Sequence, residues 1–434
     1  MSMFSIEPSN LSLSLALGLT LGLSGCQILP KQPHLPESVA LSERVEALYE
    51  QEDNKNIEQN QPAESDNTDL VAAISEQNDI HPELSGYHPI VTGANAFASR
   101  SVLTDMATRT IDAQYYIWHN DQAGQLLLKN LWRAAERGVI VRLLLDDFNN
   151  NAEFDQHLLR FSRHPNIAVR IINPLVHRKL QTLNYVTGLP RINRRMHNKS
   201  MIFDKQITII GGRNIGNEYL SNDQNSQFAD LDVLLIGKVV ADIDNSFTSY
   251  WSSPLSFDIE TLVKPDTNMP SDFLEALDKL GPEEEGDDEG NFTTYRAALE
   301  ESTIDKDLIN QRVPFRWTDM QFLSDDVGKL SKSVPSETNL VHQLRTLLGS
   351  PTKQLTIISS YFVPTKNGVN TLVQLAESGI DIKILTNSFD ATDVTAVHSG
   401  YIQWRPVMLR AGIKIYELKS TASEEKRENK LWKA

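Results

Sequence analysis

Hydrophobic and polar positions change period several times along the chain, and the periods predict its elements. The run Ile111-Asp112-Ala113-Gln114-Tyr115-Tyr116-Ile117-Trp118 is apolar, aromatic and β-rich, and predicts a buried strand. From Gln122 to Arg137, Leu127, Leu131 and Ala135 recur on one stripe of a predicted helix, which Gly138 stops. Val139 to Leu145 predicts the next strand, and a helix over 151–162 with a strand over 167–172 continues the alternation. Strand, helix, strand in this order is the crossover unit of a parallel sheet, so an α/β fold is expected.

The same pattern returns late in the chain. Ala135-Glu136-Arg137-Gly138-Val139-Ile140-Val141-Arg142-Leu143-Leu144 aligns without a gap on Ala376-Glu377-Ser378-Gly379-Ile380-Asp381-Ile382-Lys383-Ile384-Leu385, 241 positions later. Each copy follows an aromatic strand, Tyr115-Tyr116 in one and Tyr361-Phe362 in the other. Two copies of one α/β domain are therefore predicted.

At the amino terminus the apolar run Leu11 to Leu23 is short for a membrane span but matches the core of a secretory signal. It ends at Leu23-Ser24-Gly25-Cys26, which resembles the bacterial lipobox. That resemblance implies cleavage before Cys26 and diacylation of its thiol. The leader departs from the usual pattern, because Glu7 and no lysine or arginine precedes Leu11. Gln27 rather than aspartate follows the cysteine, which resembles the export signal for the outer membrane. The expected location is extracytoplasmic, lipid-anchored to a bacterial membrane, with the periplasmic face of the outer membrane favoured. Residues 1–26 are thus expected as a lipoprotein signal peptide and 27–90 as a disordered acidic linker, since the latter are rich in polar residues and proline with few aromatics. Leu41 to Tyr49 has the period of a short amphipathic helix, but a solvated spacer is the expected state.

Composition narrows the function classes. With 434 residues, 40% hydrophobic and 23% charged, the bulk is globular, with room for two or three domains. The net charge of −16 makes a broad nucleic-acid groove unfavourable, so nucleic acid is not the favoured partner. A single cysteine excludes an intramolecular disulfide. No His/Cys/Asp cluster has ligand spacing, and the acidic run Glu283 to Glu289 lacks calcium-loop spacing, so neither metal nor cofactor is expected. Residues 256–310 read as an acidic insertion between two domains, 91–255 and 311–434.

The chemistry concentrates in Met196-His197-Asn198-Lys199-Ser200-Met201-Ile202-Phe203-Asp204, where strand alternation puts His197 and Lys199 on one face. Asp204 closes the strand, Lys205-Gln206 make the turn, and Ile207 to Ile210 return as the second arm of a hairpin. Gly211-Gly212-Arg213-Asn214 then brings bare backbone and an amide toward the same place. Lys199 and Asn214 can together donate to phosphoryl oxygens. About eight basic residues lie between Arg178 and Arg213, including Arg191, Arg194, Arg195 and Lys205, against the one acid Asp204. A local cationic pocket in an acidic protein is expected from them.

The run His-x-Lys-x4-Asp followed by Gly-Gly-x-Asn resembles the signature of the phospholipase D superfamily, with Gly211 to Tyr219 similar to its cardiolipin-synthase branch. The resemblance implies a phospholipase D-like duplicated α/β sandwich. It also implies that His197 attacks phosphorus to give a phosphohistidine, that Lys199 and Asn214 bind phosphate, and that Asp204 completes the catalytic motif, mainly through local structure and charge balance. An acid that supports the imidazole corresponds to Asp230, with Glu218 as the alternative. Gly212 stands where some members carry serine.

Family members build one site from two such motifs, in one chain or in a dimer, the second histidine protonating the leaving alcohol. Added to His197, the repeat offset falls at position 438, beyond Ala434, and His398 has no lysine two residues on. The second half is accordingly expected to be incomplete, and the chain to be a fragment with impaired turnover. Three readings follow: a phosphatidyltransferase acting on phospholipid at a membrane surface; a hydrolase of phospholipid or other phosphodiesters; and an inactive phosphate-binding fragment. A homodimer or a partner protein is compatible with each.

Overall fold

The structure, a computed structural model, describes residues 29–31, 33–55, 70–148, 151–175, 178, 194–220, 230–266, 273–278, 288–331, 338–392 and 395–419. Cys26 and the leader lie outside these residues, as do Arg191 and the end of the chain after 419. No helix among the described residues is long and apolar enough to cross a membrane. The chain divides into two compact units between Pro335 and Ser336.

In the first unit nine strands form one sheet: β1 (Ser85–Ile90), β2 (Thr110–Tyr115), β3 (Ile140–Asp146), β4 (Ile167–Ile172), β5 (Lys199–Phe203), β6 (Ile207–Gly211), β7 (Asp232–Gly237), β8 (Ser256–Asp258) and β9 (Arg316–Thr318), in spatial order β8-β4-β3-β2-β5-β6-β7-β1-β9. β2, β3 and β4 are parallel neighbours. β5 to β7 are antiparallel. The β5–β6 hairpin turns on Asp204 and Lys205, whose φ values of 49° and 52° give the positive pair that tight hairpin turns need.

Side chains alternate between two apolar layers. Val141, Leu143 and Leu145 of β3 join the cluster containing Leu127, Leu131 and Phe97, whereas Ile140 and Leu144 join the one containing Ile243, Phe247 and Trp251. Arg142 enters the second layer, where its guanidinium meets Asp112 at 2.6 Å and the Phe247 ring at 5.0 Å, so a buried charge is both paired and stacked.

Three expectations about domain limits are corrected here. Within 27–90, helix α1 (Pro36–Lys55) buries Leu41 and Val45, helix α2 (Leu70–Ile80) buries Leu70 and Ile74, and β1 pairs with β7 and β9. The helical period over Leu41 to Tyr49 is visible in the sequence, but the polar stretch around it pointed to a spacer, whereas one buried i, i+4 pair seats each helix on a core. Residues 256–310 likewise belong to the first unit, with β8 pairing β4 and both Phe273 and Tyr295 fully buried in its core. Finally, β9 places 316–318 in the first sheet, so the boundary lies near 335 rather than 311.

The second unit has a three-stranded parallel sheet of β10 (Gln354–Ile358), β11 (Asp381–Asn387) and β12 (Lys414–Leu418). Its strand order matches that of β2-β3-β4, and a helix, Lys366–Glu377, connects its first two strands. Thr110 faces Ile140 in one unit and Gln354 faces Asp381 in the other. Gly138 and Gly379 end the connecting helices with φ of 99° and 94°, values at which a side chain would be strained. The repeated decapeptide therefore marks equivalent places in two α/β sheets.

Candidate active site

Register across the first sheet sets out the site. Tyr115 of β2 lies opposite Lys199 of β5, Ser200 lies opposite Ile210 of β6, and Gly211 lies opposite Asp232 of β7. Tyr115, Lys199, Gly211 and Asp232 thus form a row along one end of the sheet, at the carboxyl end of β2. His197, just before β5, and Asn214, just after β6, project from the same end.

His197 and Lys199 meet as the alternation predicts. Lys199 Nζ lies 3.3 Å from His197 Nδ1 and donates to the His197 carbonyl at 3.0 Å. The Tyr116 ring packs 4.6 Å from the imidazole centroid and 5.4 Å from Lys199 Nζ. Lost hydration, followed by the charges of Lys199 and Lys329, pushes the imidazole down to about 4. Burial lowers Lys199 to about 8 against the opposing charges of Asp230, Asp232 and Asp146. At neutral pH the site therefore holds a neutral imidazole beside an ammonium that keeps most of its charge.

Asn214 is buried, and its Oδ1 accepts the Ile117 N–H at 3.2 Å, so the amide nitrogen is the end that donates. The two glycines before it are required by close approaches. A Cβ on Gly211 would stand 2.5 Å from the Leu231 carbonyl oxygen, and one on Gly212 would overlap the Asp230 carboxylate. A serine at 212 is excluded unless Asp230 moves.

The remaining motif residue is elsewhere. Asp204 lies at the opposite end of β5, about 17 Å from Lys199 at the rise of an extended strand. It accepts hydrogen bonds from Thr108, Arg109 and Thr110 N–H at 2.9, 2.8 and 2.9 Å. Its work is to tie the hairpin turn to the start of β2, the local structural role expected of it, and it stands apart from His197 and Lys199.

Of the two acids expected to support the imidazole, Glu218 pairs instead with His119, at 3.2 Å. Asp230 lies in the electrostatic surroundings of Lys199 and accepts the Leu231 N–H at 2.8 Å. Burial and the charge of Asp232 raise Asp230, whereas the Leu231 N–H, Arg213 and Lys199 pull it down.

The expected cationic pocket is also corrected. Arg178 binds Asp147 and Asp155, Arg195 binds Asp146, Lys205 binds Asp244 and Arg213 faces Asp232. Carboxylates from distant segments converge on cations that look unopposed in the linear sequence. Among the described residues of that run, Lys199 is the cation beside the imidazole.

Several residues escaped the sequence reading. Asp146, at the carboxyl end of β3, accepts the Met196 N–H at 2.9 Å and Arg195 Nε at 2.7 Å. Arg100 and Asp232, both fully buried, pair at 2.9 Å, and Arg100 Nε donates to Tyr115 Oη at 3.0 Å. Lys329, bound to Asp325 at 2.8 Å, adds positive charge near His197. A carboxylate at the carboxyl end of a parallel strand is the one advance signal among these, since ligands of such sheets bind there.

A family model described as cardiolipin synthase, PLD-like domain, matches residues 103–251 and 344–431. The chain belongs to this family. It is 40% identical over 359 residues to cardiolipin synthase C of Escherichia coli K12, covering 82% of this chain and 74% of that protein. It is 25% identical over 335 residues to cardiolipin synthase of Halalkalibacterium halodurans, covering 76% and 54%. Among solved structures, it is similar to phosphatidylserine synthase of Haemophilus influenzae, with a TM-score of 0.47, 15% identity and coverage of 78% and 72%. The two family segments contain the His197 to Asn214 constellation and the second copy of the repeated decapeptide.

Proposed function

We propose that the chain is a phosphatidyltransferase of the cardiolipin-synthase type, acting on phospholipid through a phosphohistidine at His197. The observation that carries the reading is the approach of Lys199 Nζ to within 3.3 Å of His197 Nδ1, at the sheet end where Asn214 also lies. Attack uses the Nε2 lone pair, which requires the ring proton on Nδ1. Lys199 therefore leaves Nδ1 for the phosphoryl oxygens as substrate enters, and Asn214 Nδ2 supplies a second donor. A P–N bond forms, the P–O bond to the first alcohol breaks, and the acceptor alcohol later reverses the step. Asp230 balances the ammonium.

Residues 1–434 contain one His-x-Lys-x4-Asp motif. We infer that the departing alcohol takes its proton from a second positioned acid, and a site without one turns over about 10²- to 10⁴-fold more slowly than a paired site. Vesicles of labelled phosphatidylglycerol test the reading. Label should be trapped on the wild-type chain and absent from His197→Ala. Cardiolipin as product supports transfer, phosphatidic acid supports hydrolysis, and product formation unchanged by His197→Ala overturns the mechanism. Cys26 is proposed as the lipid anchor of an extracytoplasmic protein. Cys26→Ala should leave the leader uncleaved, lengthening the mature chain, and abolish acyl labelling, and unchanged size with retained acyl label would overturn that assignment.

A further inference from the structure

The residues around Asn214 continue into a second polar constellation. Ile117 to His119 and Asn214 to Gly216 run side by side, with Trp118 bridged to Ile215 in parallel, Ile215 N–H donating to the Ile117 carbonyl at 3.1 Å and His119 N–H to the Ile215 carbonyl at 2.9 Å. In such extended backbone, alternate residues share a face. Asn214 and Gly216 are alternate residues, and a Cβ on Gly216 would stand 2.7 Å from His119 Cδ2. The imidazole of His119 therefore covers Gly216 on the face from which the Asn214 amide projects, about 7 Å further along.

That imidazole is held by Glu218, with Nε2 to Oε1 at 3.2 Å and side-chain exposures of 33% and 44%. The hydrogen bond to Glu218 raises His119, Asp121 adds to the effect, and Glu218 is lowered in return. The pair thus sets an imidazole and a carboxylate, hydrogen-bonded to each other, in water-accessible positions. Asp121 fixes the surrounding loop, accepting the Asn217 N–H at 2.6 Å and the Gly124 N–H at 3.1 Å.

We propose that His119 and Glu218 form a hydroxyl-recognition subsite for the glycerol-type headgroup of the lipid handled at the phosphoryl site. This assignment rests on the phosphatidyltransferase reading above. With Nε2 turned to Glu218, His119 Nδ1 donates to a hydroxyl oxygen, and a carboxylate has capacity to accept the hydroxyl proton. A glycerol headgroup carries further hydroxyls a few bonds beyond its phosphoester oxygen, which spans the distance from Asn214 to His119. Water and simple alkyl esters offer no group there, so the subsite favours a polyol over either.

Two soluble diesters of equal charge test this with the full chain: glycerophosphoglycerol, and dimethyl phosphate, which has no hydroxyl. Calorimetric titration of the wild type should show a preference for the first of about three- to tenfold, the worth of one hydrogen bond at a half-exposed site. His119→Gln and Glu218→Gln should each abolish that preference while leaving dimethyl phosphate affinity unchanged. A wild type without preference, or variants that both retain it, overturn the subsite. Failure of the underlying reading looks different: dimethyl phosphate binding would then be indifferent to Lys199→Ala.

Discussion

Asp146 accepts the backbone N–H of Met196 at 2.9 Å, and so joins the end of β3 to the residue immediately before His197. The same carboxylate accepts a hydrogen bond from Arg195 Nε at 2.7 Å, with Nη2 of that guanidinium 2.6 Å away. Asp146 is fully buried and the Arg195 side chain largely so, and removing the carboxylate leaves the guanidinium uncompensated, at a cost of up to about 3 to 5 kcal/mol. Asp146→Ala should lower the thermal midpoint and slow phosphohistidine formation at least about tenfold, because a shift of one ångström at a reacting group has effects of that order. Trapping of labelled phosphatidyl group, measured per folded molecule, checks it. Unchanged trapping would remove Asp146 as a positioning residue.

The opposed shifts at His197 and Lys199 predict the shape of the pH profile. His197 titrates at about 4, so its lone pair is lost as pH falls through that value. Lys199 titrates at about 8, so the charged phosphate donor is lost as pH rises through that value. The apparent second-order rate of phosphohistidine formation should be level between these limits and fall on both sides. Lys199→Arg should move the alkaline limb upward, since guanidinium stays charged throughout. An alkaline limb that stays in place assigns it to another group.

How much of this was legible in the sequence depended on the distance over which each signal acts. His197 and Lys199 share a face because alternation is local, and Gly211-Gly212 marks its close approaches within the same stretch. The carboxylates of Asp146 and Asp147 precede the arginines they bind by 49 and 31 residues, so the segment from Arg178 to Arg213 looked more cationic than it is. Lys329 and β9 reach the first unit from more than a hundred residues downstream of His197. Leu41 and Val45 show their helical period in the sequence, but the polar stretch around them made a solvated spacer the expected state, and Leu70 and Ile74 were passed over in the same stretch.

Asp204 separates structural from chemical roles within one motif. Its carboxylate satisfies the N–H groups of Thr108, Arg109 and Thr110, and leaving buried donors unpaired costs about 1 to 3 kcal/mol apiece. Asp204→Ala should therefore cause a large fall in unfolding free energy. The rate of phosphohistidine formation per folded molecule should stay within about threefold of wild type, because the site lies at the other end of β5. Denaturant titration with active-fraction counting distinguishes the two, and a catalytic defect in a chain of wild-type stability would return Asp204 to the chemistry.

His157 gives the first unit a specific sensitivity to acid. Its side chain is fully buried on the helix Ala152–Phe161, and neither ring nitrogen has a hydrogen-bond partner among the described residues. Burial, and then the charge of Arg160, hold the ring at about 4, whereas in the unfolded chain it titrates near 6.5. As pH falls through 6.5 the unfolded chain takes up a proton that the folded chain refuses until about 4. The contribution is complete above 6.5 and is lost progressively toward 4, by as much as about 3 kcal/mol. His157→Phe keeps the volume and removes both unpaired nitrogens, so it should match or exceed wild-type stability at pH 7. Its advantage should widen as pH is lowered from about 7 to 5, in denaturant titrations at constant ionic strength. Stability curves that run parallel over that range would show that the buried imidazole is not the source of the acid sensitivity.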